Sequence, residues 1–218
     1  MPHTQHVFLL LKGSATICVD KTILPFLDSL PLICSNSDMT DMIRAATDRL
    51  IQLSLEAGKP LSPLPLQKLL YFVEGWHIAI TGAPLFDEEF QAWANGPALP
   101  SVYRRMKHFG QDDIPDSIID TQPEHVLSPR VLDLIEQIYK TYGGMDPGTL
   151  VGMTHLPGAP WEQVRSEANV PRLGKCEVHI DAERMQEWFR SVLDDALQPA
   201  DQEVVDATPD EIRAWAHA

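Results

Sequence analysis

Proline placement constrains this chain more than any other feature. It carries 18 prolines in 218 residues. A proline inside a helix removes a hydrogen bond and clashes with the preceding turn, whereas the first helical position tolerates it. Ser128-Pro129 precedes the helical stripe Leu132, Ile135, Tyr139 and Tyr142, with Gly143 as its stop. Asp146-Pro147 opens a shorter helix holding Leu150 and Val151, and Pro160 opens one from Trp161 to Val164. Pro100 stands at the head of Val102, Met106 and Phe109, ended by Gly110. The prolines act as punctuation, and the expectation is short helices joined by tight turns.

The remaining periodicity fills in the plan. Ile43, Ala46, Leu50, Leu53 and Ala57 follow helical spacing up to Gly58. The stretch Pro60 to Pro65 is expected to exclude helix, and a helix over 66–81 carries the one-sided stripe Leu66, Leu69, Leu70, Val73, Trp76/His77 and Ile80. Phe90, Ala92 and Trp93 form a short strand, broken by Asn95-Gly96-Pro97. A loop rich in Asp fills 111–124, a second strand covers Cys176 to Ile180, and Asp181 caps a helix with Met185, Trp188, Phe189, Val192 and Leu193. The expected fold class is mainly α: a compact helical domain with a small β-hairpin or a short two- to three-strand element.

Three regions follow. Residues 1–38 hold few charges and no persistent period, and are read as an extension outside the domain, with Met39 as the biological start downstream of an in-frame start codon. Residues 39–193 form the domain. Residues 194–218 read as an acidic tail, in which Thr208-Pro209-Asp210-Glu211 signals a short helix carrying Ile212 and Trp215.

Charge narrows the function. The formal net charge is −14, which repels a phosphate backbone unless bases concentrate on one face. The densest basic cluster is Arg104, Arg105, Lys107 and His108. A negative surplus suits a basic protein partner, because complementary fields speed encounter. Three cysteines without a CxxC give neither a disulfide framework nor a zinc finger, and no apolar run is long enough to span a membrane. The expected setting is cytoplasmic.

No motif for chemistry emerges. Glu74 and His77 share a helix face at metal-ligand spacing, but no third ligand accompanies them. Cys176 and His179 point to opposite faces of a strand. A nucleophile elbow, a phosphate loop and a zinc-protease helix are all missing. No catalytic residue, metal or cofactor is expected. The aromatic residues carry more information. Between Phe86 and Tyr103 the chain packs Trp93, Gly96, Pro97 and Pro100 into one rigid corner, suited to presenting ring edges to a partner at little ordering cost. Trp93, Tyr103, Arg104 and Trp161 are the candidate partner-binding residues, with Gly96, Pro97 and Pro100 holding their corner.

The run Leu66-Gln67-Lys68-Leu69-Leu70-Tyr71-Phe72-Val73-Glu74-Gly75-Trp76-His77, then Thr81-Gly82-Ala83-Pro84-Leu85-Phe86-Asp87, resembles the Panacea domain, the SocA-like antitoxin domain. Ala92-Trp93-Ala94-Asn95-Gly96-Pro97-Ala98-Leu99-Pro100-Ser101-Val102-Tyr103 continues the resemblance, as do Leu150, Thr154-His155 and Pro160-Trp161. It covers about 40–193, with Glu74 where glutamine is usual and Ala98 where valine is usual. The motif residues Leu69, Tyr71, Gly75, Trp76, Thr154 and His155 belong to this pattern, with a role in folding alone as the plainer reading. The resemblance implies an all-helical domain with a small β element that neutralises a toxin by direct binding in bacterial and phage toxin–antitoxin pairs. It also implies, through one family member, an adaptor role toward a Clp-type protease, and no catalytic residues. The alternatives are a DNA-binding autorepressor of its own operon and, less favoured, a hydrolytic enzyme.

Overall fold

The computed structural model describes residues 6–11, 15–20 and 39–197. The tail helix expected over 208–215 lies outside the described residues. Eight α-helices and two small antiparallel sheets are formed among them. The chain is mainly α with a small β element, and no helix among the described residues is long and apolar enough to cross a membrane.

The proline grammar holds at the level of local geometry. After α1 (Met39–Glu56), the helices α2 (Pro63–Thr81), α3 (Pro100–Met106), α4 (Pro123–Val126), α5 (Pro129–Tyr142), α6 (Pro147–Thr154) and α7 (Pro160–Glu167) each begin on a proline. Ser128 and Asp146 cap α5 and α6, their side chains accepting from the amides of Val131 and Thr149. α8 (Ala182–Leu197) follows Asp181, whose carboxylate accepts from Arg184 N at 2.8 Å.

Several boundaries differ from expectation. α2 starts at Pro63, within the stretch read as helix-free, because Pro63 and Pro65 occupy the first turn, where amides have no helical acceptor to lose. The segment 111–127 is not a plain loop: it holds a 3₁₀ turn, Asp116–Ile118, and α4. The strand expected over 176–180 shrinks to β5 (His179–Ile180), with Val178 O accepting from Ala92 N just before it. Within 6–20, read as lacking regular period, β1 (His6–Leu11) and β2 (Ala15–Asp20) pair antiparallel. A short apolar run such as VFLLL suits a strand without alternating.

α2 is the centre of the molecule, not a one-sided helix. Neighbouring elements α1, α5, α6 and α8 surround it, and every residue from Pro65 to Trp76 is buried. Trp76 therefore sits within the helix, fully buried. Rings gather here: Tyr71 meets Phe90 edge-on at 5.4 Å, Phe72 stacks on Tyr142 at 4.6 Å, and Phe189 of α8 meets Trp76 at 5.3 Å. Gly75 makes the α2–α8 approach feasible, since a Cβ there would lie 2.2 Å from the Phe189 ring.

The second sheet has the order β4-β3-β5, with β3 (Phe90–Trp93) and β4 (Gly96–Ala98) joined through Ala94-Asn95. The register pairs Gln91 with Ala98, Ala92 with Pro97 and Trp93 with Gly96. Asn95-Gly96-Pro97 was expected to end the strand. Instead the chain turns back, Gly96 supplying a φ of +93° and Pro97 lying on the sheet edge, where its missing amide costs no ladder bond.

Candidate protein-binding surface

The β3–β4 hairpin is held from behind by buried side chains that bond its main chain. Gln67 of α2 donates to Leu99 O at 3.1 Å and accepts from Leu99 N at 2.8 Å. Lys68, fully buried, donates from Nζ to Pro97 O at 2.7 Å. Trp161 of α7 donates from Nε1 to Trp93 O at 2.7 Å. One turn along α7, Arg165 donates to Ala92 O at 2.7 Å. Its other amino group gathers the carbonyls of Pro171, Arg172 and Gly174 at 2.6–2.9 Å. The carbonyls of Ala92, Trp93, Pro97 and Leu99 thus each have a side-chain donor, which fixes the hairpin's position.

Charge in this layer is handled by suppression. Burial pulls the Lys68 ammonium down to a pKa of about 7. Burial, reinforced by the positive charges of Lys68, Arg172 and Arg165, pushes His155 down to about 3. The neutral His155 ring stacks on Trp161 at 3.6 Å and 10°, while the Arg165 guanidinium lies 5.0 Å from that indole's centre. Thr154 Oγ1 donates to Val151 O at 2.8 Å. A Cβ on Gly96 would fall 2.7 Å from Lys68 Nζ and 2.8 Å from Thr154 Oγ1, so the turn admits only glycine.

The candidate residues therefore separate. Trp161, read as a surface anchor, is only 5% exposed and belongs to the clamp. An aromatic at a helix start looks the same in sequence whether it faces the core or water. Trp93 is half-buried, with Nε1 donating to Gln91 Oε1 at 2.7 Å, and Tyr103 meets its ring edge-on at 4.8 Å. Tyr103 is 46% exposed and Arg104 is exposed. Trp93 and Tyr103 meet at one corner, whereas Arg104, the next residue of α3, lines a neighbouring groove with Ile43 and Asp87. The basic cluster is smaller than its sequence suggests, because Arg105 turns inward to Asp48 at 2.8 Å, Ile118 O at 2.6 Å and Asp120 at 3.2 Å. Asp48, fully buried, also accepts from Asp120 N, Thr121 N and Thr121 Oγ1.

Beside this corner, α1 and α3 enclose an open groove of about 910 Å³. Ile43 and Val102 form its apolar floor. Asp87, Glu88 and Glu89 line one wall, where Glu88 accepts from Ser101 N at 3.0 Å and Glu89 pairs with His179 at 3.1 Å. Gln91 links His179 back to Trp93, so corner and groove are one continuous surface.

The Glu74–His77 pair is not a ligand set. Glu74 Oε2 accepts from Leu85 N and Phe86 N at 3.1 and 3.2 Å, and burial raises its pKa to about 8. His77 bonds Ala83 O at 3.0 Å through Nδ1. Both secure the turn after α2. The clamp residues Gln67, Lys68 and Arg165 were missed by sequence reasoning. The available signal was two adjacent polar residues inside an apolar helical run, and an arginine one turn after Trp161.

Residues 66–162 match the family described as Antitoxin SocA-like, Panacea domain. The chain is 34% identical over 129 residues to Antitoxin SocA of Caulobacter vibrioides (strain NA1000 / CB15N), a match covering 56% of this chain and 69% of that relative. No solved structure matches the chain. The matched span holds the Gln67, Lys68 and Trp161 clamps together with the hairpin they grip, and the chain belongs to the SocA-like Panacea-domain family.

Proposed function

We propose that this protein is an antitoxin that neutralises a toxin by direct protein–protein contact in the cytoplasm, and that it does so without covalent chemistry. The observation that carries this reading is its kinship with Antitoxin SocA. The surface geometry supports it. Trp93, Tyr103 and Arg104 are residue types that dominate binding energy at interfaces; the first two meet edge-on at one corner and the third is exposed beside Tyr103 on α3. The Gln67, Lys68, Trp161 and Arg165 bonds preorganise that corner, so a partner meets a surface with little freedom left to lose.

The test is co-expression with the product of the adjoining reading frame. Restored growth and a co-purified complex are expected, and a Tyr103→Ala/Arg104→Ala double variant should weaken the complex about 30-fold or more. Absence of both growth rescue and a co-purified complex rejects the reading for that pair. Delivery of the toxin to a Clp-type protease is a refinement. It predicts faster toxin loss when ATP and protease are present, and an unchanged toxin half-life excludes it.

A further inference from the structure

Exposed apolar surface and uncompensated positive charge coincide in the loop after α7. Arg165 is only 3% exposed, and one of its amino groups bonds the carbonyls of Pro171, Arg172 and Gly174. Gly174 N closes the turn on Pro171 O at 2.7 Å, and the buried Cys176 pins the downstream end. Leu173 stands at the apex, 80% exposed. A single exposed leucine is ordinary on a protein surface. This one sits on a turn braced by a buried guanidinium, so little freedom is left for it to lose on binding.

The brace also sets where the main chain points. The described chain has no cis peptide, and in a trans peptide the C=O and N–H face opposite ways. With those three carbonyls drawn inward, the amides of Arg172, Leu173 and Lys175 face away from Arg165. None of these amides donates a hydrogen bond among the described residues. Charge adds to them. Arg165, Arg172 and Lys68 all bear on His155, and none of the three is paired with a carboxylate among the described residues. The nearby Glu167 is taken up by Arg184 at 3.0 Å, and Glu177 by Lys175 at 2.8 Å. In a chain of net charge −14, the loop is a local positive site with its donors turned outward. Such a site attracts acceptor oxygens that carry negative charge.

We infer that the loop 171–175 docks on an acidic segment of the partner protein, with Leu173 entering an apolar pocket there and a carboxylate beside that pocket taking the outward amides and Arg172. At 80% exposure Leu173 projects from the surface, which suits insertion into another protein and not the capture of a small anion. A membrane surface is the poorer match, because one leucine is a weak anchor and the chain's negative charge repels anionic lipid. Arg165 also bonds Ala92 O, so a single side chain fixes the loop relative to the β3–β4 hairpin. The charge of the whole chain steers a basic partner, and this oppositely charged loop sets its orientation. The loop lies beyond residues 66–162, the span matched to the family, as suits a contact particular to one pair. This deepens the antitoxin reading and rests on it.

The experiment uses the full chain and the purified product of the adjoining reading frame, with affinity read by calorimetry and stability by thermal melting. Leu173→Ser alters one exposed side chain, so melting should stay at the wild-type temperature while affinity falls about tenfold or more. Arg172→Glu should also fold normally and bind at least about tenfold more weakly, with the deficit shrinking as salt rises. By NMR, the amides of Arg172, Leu173 and Lys175 should exchange freely in the free protein and at least about tenfold more slowly in the complex. Wild-type affinity in either variant, or unprotected amides in the complex, overturns the inference. If Leu173→Ser melts lower, Arg172→Glu and the amide exchange decide. Sedimentation of the chain with phosphatidylserine vesicles that Leu173→Ser abolishes assigns the loop to a membrane and overturns it as well. When wild type binds and rescues growth and both variants do the same, the loop assignment falls and the antitoxin reading stands. If wild type neither binds nor rescues, both fall.

Discussion

At the residue scale, Glu74 and Lys68, both buried in α2, pull in opposite directions as pH changes. Glu74 has its folded pKa raised to about 8, so between about 4.5 and 8 the folded state keeps a proton that the unfolded chain releases. Stability therefore falls across that window as pH rises. Glu74→Gln keeps an acceptor for Leu85 N and Phe86 N and cannot ionise. It should abolish the decline, with a gain on the order of a few kcal/mol at pH 8, read by denaturant melts across pH. Lys68 is lowered to about 7, so between about 7 and 10.5 the unfolded chain holds the extra proton and stability rises with pH. Lys68→Met should remove that rise and leave Pro97 O without its donor. Gly75 is constrained by contact: Gly75→Ala places a methyl group against the Phe189 ring and should cost about 1–3 kcal/mol or more. Adding Phe189→Leu should recover part of the loss in a double-mutant cycle.

At the element scale, helix starts were legible in sequence and the clamps were not, for a physical reason. A proline's fixed φ and missing amide act within its own turn, so Pro100, Pro129, Pro147 and Pro160 declare helix starts without reference to the rest of the chain. Gln67 reaches Leu99, Trp161 reaches Trp93 and Arg165 reaches Ala92 across long stretches of chain, and no local period encodes those pairs. The contact between Trp93 and Tyr103 joins residues only ten apart, within one turn-rich run of the chain. Trp161 was misplaced because its partner is a distant carbonyl. A consequence for the sheet is testable. Trp161→Phe keeps the packing on His155 but orphans Trp93 O, and should cost about 1–3 kcal/mol in thermal or denaturant unfolding. Amide exchange should quicken across 90–98 more than in α5, which shares none of these bonds.

At the scale of the whole molecule, the charge of −14 and the inward turn of Arg105 act together. With its basic cluster reduced at the surface, the chain should not shift its own promoter fragment in a mobility assay at physiological salt. Binding to a basic protein partner should weaken as salt rises, chiefly through a slower on-rate measurable by stopped flow. Sheet topology adds a matter of timing. β3 and β4 leave the ribosome early, yet their third strand β5 and the Arg165 donor come from far downstream. At about 5–20 residues per second, the roughly 80 residues between β4 and β5 take about 4–16 s to synthesise. Until Trp161 and Arg165 emerge the nascent hairpin has unbonded Trp93 and Ala92 carbonyls, and until β5 follows it keeps an open edge, so a chain that ends before β5 carries a two-stranded sheet that was never closed.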